Sequence, residues 1–307
     1  MTNLFKFNDY SLIEVGTKEN QLNYQQISID ISNNHEIDKF QSLILVSIEK
    51  SNDVATYAVN NGYTFDINHH ALTMEIRLTN KAINGSGSIE ETQRNDFDYV
   101  IFYNSIMEDK YKYNDKSLFY SSVELIDDFS HVYNESECYF IMPRTQQFNV
   151  EGVNIGNTNI GVMLINSNNS SLTAYGKWKD SGNGGNSGGN YSGYDYSGKP
   201  ANISFLAINK NISKFTHNNS PIIQVGYSTT DVNGVETVNH NISSNDYIIM
   251  LTPVVHSKTN EYISILYTNK SNYSFSVNAS YKDGNNGADG GGTNKAINFY
   301  WGVIKKF

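Results

Sequence analysis

Three histidines invite a chemical reading. His35, His131 and His240 each stand seven or eight residues ahead of an apolar run. If those runs gather about one axis, three imidazole nitrogens could hold a divalent ion there. The plainer role for each is a turn residue whose ring bonds a nearby carbonyl. His69-His70 carries no such promise, because neighbours on an extended chain point to opposite faces and no third ligand stands at a familiar spacing. The same geometry applies to Glu90-Glu91, Glu108-Asp109 and Asp127-Asp128. A general acid and base must converge in one cleft with different surroundings, and adjacent acids on a strand diverge. Cys138 is the sole cysteine, which excludes a disulfide framework and a Cys-based zinc site. Two Gly/Asn/Ser-rich stretches, Asp180 to Gly198 and Asp283 to Asn294, lack the Gly-x-x-x-x-Gly-Lys spacing and the following helix of a phosphate cradle. The first holds Tyr191, Tyr194 and Tyr196. Tyrosine lays a flat face on a sugar ring or a partner and adds a hydroxyl at low entropic cost, so these three are the candidate contact residues. No enzyme and no cofactor are expected.

The elements that would position these groups are strands. Charged residues make up only 17% of the 307, and Asn, Ser and Thr fill the polar positions where Lys, Glu and Ala would favour exposed helices. The apolar set leans on Tyr, Ile, Val and Phe, which suit a pleated surface. Tyr273, Phe275 and Val277 alternate with polar neighbours, as do Met74, Ile76 and Leu78, which predicts half-buried strands in antiparallel sheets. Neither Leu12 to Gln21 nor Glu124 to Asp128 sustains a helical period. A net charge of -9 argues against a nucleic-acid partner, whose phosphates demand a basic surface. No run of about twenty apolar residues is present, so no membrane insertion is expected. Met1 to Tyr10 lacks the basic and apolar regions of a secretion signal.

Landmarks recur. Tyr139-Phe140-Ile141-Met142 returns as Tyr247-Ile248-Ile249-Met250, and Trp178-Lys179-Asp180 before one glycine stretch returns as Tyr281-Lys282-Asp283 before the other. Ile203 to Ala207 and Ile297 to Trp301 then close the two copies. A more divergent copy runs from His35 through Ser42 to Val46 and Gly62 to Ile67, with Leu72 to Leu78 closing it and no glycine stretch. The expectation is an all-β chain of three tandem antiparallel β-sandwich domains. Polar, turn-rich segments at Asn84 to Ser88 and His217 to Pro221 place them at 1–84, 85–218 and 219–307, the first a possible attachment domain.

The last copy carries a resemblance. Leu251-Thr252-Pro253, Tyr262-Ile263-Ser264-Ile265, Tyr273 to Val277 and the closing Asn298-Phe299-Tyr300-Trp301-Gly302-Val303 follow in an order that resembles the distal domain of phage tail fibres. The pattern is also similar to the H-type lectin domain of secreted agglutinins. That resemblance implies a virion surface protein assembled in the host cytoplasm. Its partners would be other virion proteins or host surface glycans, and its units would be grouped as a homotrimer or as a pseudo-trimer of the three copies. The alternative it implies is a free H-type-lectin-like carbohydrate-binding protein. It transfers no ligand contact to a numbered residue.

Overall fold

A computed structural model describes residues 2–7, 10–22, 26–30, 42–48, 62–68, 71–77, 94–103, 112–124, 128–132, 138–148, 158–168, 171–180, 202–254, 261–283 and 296–306. These residues are mostly strand, with one short 3-10 turn at Lys210–Lys214, and their sheets are antiparallel except at two short parallel pairings. Among them no helix is long and apolar enough to cross a membrane.

Eighteen of the 23 described strands fall into three sets of six; Thr2–Phe7 pairs along the outer edge of Tyr10–Leu22, and the other four are the short arms of two hairpins. The first set is Tyr10–Leu22, Gln26–Asp30, Ser42–Ile48, Gly62–Asn68, Ala71–Arg77 and Arg94–Tyr103. The second is Phe119–Glu124, Asp128–Val132, Cys138–Phe148, Thr158–Asn168, Ser171–Asp180 and Asn202–Asn209. The third is Ile223–Thr229, Val235–Asn239, Tyr247–Val254, Glu261–Thr268, Ser274–Asp283 and Asn298–Lys305. In every set the sixth strand pairs antiparallel with the first and the third. The fifth pairs antiparallel with the second and the fourth. Ala71–Arg77 is therefore a fifth strand, and the strand that completes the first set is Arg94–Tyr103, beyond the Asn84 to Ser88 border expected from turn chemistry. The closing strands of the later sets match two residues further along than the sequence landmarks suggest. Phe140 faces Ile208 as Ile248 faces Ile304, which aligns Phe205 with Trp301. A slip of two leaves every side chain on its original face, so alternation alone could not detect it.

The third set has a described core. Tyr247, Ile249 and Leu251 of its third strand and Phe299, Trp301 and Val303 of its sixth pack on Val238, Tyr267, Phe275 and Val277 of the other sheet. Burying each such side chain is worth roughly 1.5–3 kcal/mol, which is what joins the two layers. The opposite face of the first sheet is buried as well: Ile223, Ile248, Met250, Tyr300 and Ile304 lie there, on positions that alternate with the core residues. Hence Tyr247–Val254 is apolar almost without interruption, as a strand covered on both faces must be. Its cover comes from the other sets, since the third strands of all three sets touch one another.

A small residue opposite a large one repeats as well. Gly226 pairs with Trp301 and Gly16 with Tyr99. A Cβ on either glycine would stand inside contact distance of the facing ring, the Trp301 Cζ2 edge in one set and the Tyr99 hydroxyl in the other. In the second set the corresponding pair is Ser122 and Phe205.

Candidate functional site

Of the tyrosines and histidines singled out from the sequence, Tyr191, Tyr194, Tyr196, His35, His69 and His70 lie outside the described residues. His131 is in the Asp128–Val132 strand, opposite Leu172. His240 follows the second strand of the third set and is 4% exposed. Its ring meets Tyr247 edge-on at 4.6 Å and stacks on Phe275 at 6.2 Å, so it sits among the residues that join the two sheets. Its Nδ1 accepts the Ile242 N–H at 3.2 Å, and its Nε2 has no hydrogen-bond partner. Burial, with the nearby Lys270 charge adding to it, pushes the imidazole down to about 4. This is a neutral ring packed within the third set, with one nitrogen accepting from a backbone N–H and neither bonded to a carbonyl. Among the described residues no group of three His, Cys, Asp or Glu could hold a metal ion.

The polar cluster that the structure does assemble centres on Asp98. This carboxylate is 2% exposed, on the sixth strand of the first set. Thr17, on the first strand of that set, donates to Oδ1 at 2.6 Å. The other partners come from the third set. The Tyr267 hydroxyl donates to Oδ2 at 2.9 Å, and the Lys270 and Lys306 ammonium groups each stand 3.9 Å from a carboxylate oxygen. Lys306 also donates to Thr17 Oγ1 and pairs with the exposed Asp246 at 3.4 Å. Behind them, the Lys270 ammonium lies 4.7 Å over the Tyr247 ring, whose hydroxyl donates to the Ser271 and Ser274 carbonyls at 2.7 and 3.0 Å. Burial and the Asp98 charge raise the Tyr247 phenol to about 12, so it remains a donor at any ordinary pH.

A carboxylate taken out of water without partners costs several kcal/mol, and here both oxygens are met. What the cluster does is join the first set to the third. Sequence reading passed over it. The signal was an acid on the apolar face of an alternating strand, since Asp98 shares its face with Val100 and Phe102.

A second signal was also missed. Phe5-Lys6-Phe7-Asn8-Asp9, Tyr111-Lys112-Tyr113-Asn114-Asp115 and Phe215-Thr216-His217-Asn218-Asn219 precede the three first strands at equivalent places. Asn114, Asp115, Asn218 and Asn219 all have positive φ, between 50° and 62°, the geometry of a type I′ hairpin turn. Those hairpins hand the chain from one set to the next. The Leu118 carbonyl accepts from Asn209 N–H as the Ile222 carbonyl accepts from Lys305 N–H, both at 2.9 Å. No family model, curated protein or solved structure matches the chain.

Proposed function

We propose that the chain is a non-enzymatic virion surface protein made of three tandem antiparallel β-sandwich domains about a common axis, one that binds host glycans or another virion protein. The observation that carries this reading is the strand order. The same pairing, first–sixth–third in one sheet and second–fifth–fourth in the other, is written three times, and the three third strands meet. Such a chain acts as a single-chain counterpart of a trimeric fibre head. The domains follow the strand sets, so the first extends through Tyr103. Asn84 to Ser88 then falls between the fifth and sixth strands, where the later sets carry their glycine stretches. These three connections leave equivalent strands, and connections between strands are where binding residues concentrate. The one with Tyr191, Tyr194 and Tyr196 is the candidate contact loop.

A free lectin would use the same loop, so the partner separates the two readings. A glycan array and a pull-down against disrupted virions, both with the full chain, are expected to show capture of a virion protein, with or without sugar binding. Sugar binding with no virion partner favours the free lectin. Release of reducing ends from bacterial polysaccharides would overturn the non-enzymatic reading.

A further inference from the structure

We propose that the Asp98 cluster is a latch that closes the chain into a ring, and that a chain with its latch open assembles head to tail with a second copy of itself. The inference rests on the reading of three sandwiches about one axis.

Neighbouring sets meet through the same two strands. The fourth strand of the first set runs parallel to the third strand of the second, with Thr64 opposite Gln147 and Phe65 opposite Phe148. The fourth strand of the second set meets the third strand of the third set where Leu164 faces Val254. One fourth strand, Glu261–Thr268, and one third strand, Ser42–Ile48, are then left over, and these two touch each other. The latch lies at that closing junction. Tyr267 is on the leftover fourth strand and Lys270 just beyond it, while Asp98 is on the strand paired with Ser42–Ile48. The other two junctions join sets that follow one another through a hairpin. This one joins residues 169 apart in sequence, so only non-covalent contacts hold it.

The two leftover edges are complementary by repetition, and so are those of any other copy. A head-to-tail interface closes when the rotation returns on itself and runs on as an open assembly when it does not. Within one chain the high effective concentration of the ends favours closure. Asp98 adds a buried, charged tie that an intermolecular pair must rebuild at the expense of far more translational freedom. Loss of the Asp98 charge removes the carboxylate that Lys270, Lys306 and Tyr267 share at this junction, which opposes closure.

The test is light scattering across a concentration series on the full chain, with lysine acylation footprinting of the same samples. Wild type is expected to have the mass of one chain, with Lys270 and Lys306 slow to react. Asp98→Asn is expected to populate multiples of that mass, with the associated fraction rising about tenfold or more and both lysines exposed, the scale set by hydrogen bonds to a charged group. Lys306→Met should move in the same direction by less, because Lys270 and Tyr267 still hold Asp98. Asp246→Asn, which breaks only a pair inside the third set, should remain a single chain. Should Asp98→Asn fail to fold, Lys306→Met and Tyr267→Phe decide the matter. Folded variants that stay single chains with protected lysines overturn the latch alone. A wild-type mass of three chains overturns the ring reading itself.

Discussion

Replacing Gly226 by Ser, alone and together with Trp301→Phe, tests whether the three strand sets share one packing rule. Gly226 lies under the indole of Trp301, and an added Cβ would press on Cζ2 and Cε2 and stand 2.9 Å from Nε1. None of these atoms is the loose end of a flexible chain. The ring is held on its other side by the core of the third set, including Phe275 at 6.4 Å in an edge-on contact. Forcing two or more atoms into such a site costs about 1–3 kcal/mol. Trp301→Phe alone removes part of a large buried ring and costs a comparable amount through the cavity it leaves. The double variant installs the Ser and Phe that the second set carries as Ser122 and Phe205. It should therefore recover about 1–2 kcal/mol relative to the sum of the two single changes, a coupling typical of residues in contact. Urea unfolding followed by tryptophan fluorescence is unsuitable, because the reporter is the mutated residue, so far-ultraviolet circular dichroism is the assay. Additive losses, or a Gly226→Ser variant within about 0.5 kcal/mol of wild type, would refute the claim that the pair is packed as one unit.

Two further predictions concern the third set. His240 is held neutral by burial, down at about 4 from an ordinary value of 6.5. Its depressed value means the unfolded chain takes up the proton first. The contribution to stability is thus complete above pH 6.5 and lost as pH falls toward 4. The full loss is on the order of 3 kcal/mol. Chemical denaturation at pH 7 and pH 4.5 should show His240→Phe losing less stability over that interval than wild type, and equal losses would sink the assignment. Tyr247→Phe removes a hydroxyl that donates to two carbonyls of the Ser271–Ser274 turn, and should cost about 1 kcal/mol with faster amide exchange in that turn. An unchanged exchange pattern would show that the turn holds itself, through the Ser271 N–H to Ser274 carbonyl bond at 2.8 Å.

Strand identity was legible because burial follows a period of two wherever one face meets solvent. Phe275, Val277 and Ala279 are buried while Ser274, Ser276 and Asn278 are partly open, as alternation requires. Tyr273 extends the same pattern in sequence but is 57% exposed, because the strand begins only at Ser274 and the tyrosine belongs to the preceding turn. Pattern reading sees parity and composition, and a turn residue with the right parity looks like core. The order of the strands was less legible still. In each set the sixth strand inserts between the first and the third, so the residues that pair are far apart in the chain, and the landmarks that close a copy are separated from their partners by the fourth and fifth strands. The first set hid its sixth strand behind Leu72 to Leu78, which alternates equally well and comes sooner.

What could have settled the copies was the Asn-Asp or Asn-Asn pair ahead of each first strand. A two-residue hairpin turn with positive φ at both positions tolerates few residue types, so Asn-Asp and Asn-Asn persist where apolar positions drift among Ile, Val, Leu and Phe. The Asp98 site was hidden for the opposite reason. Its position in the repeat is held by Tyr300 in the third set, where an aromatic pair with Tyr227 at 5.0 Å stands in place of the bond from Thr17. Equivalent positions on one backbone thus carry a ring pair in one set and a buried ion cluster in another, and a search for likeness between copies discards the difference. That difference lies where the first set meets the third, between Asp98 and Tyr267, Lys270 and Lys306. The order of the strands repeats in all three sets. The charges do not: the buried carboxylate and the cations beside it lie between the first and third sets, while the equivalent position in the third set is an aromatic pair.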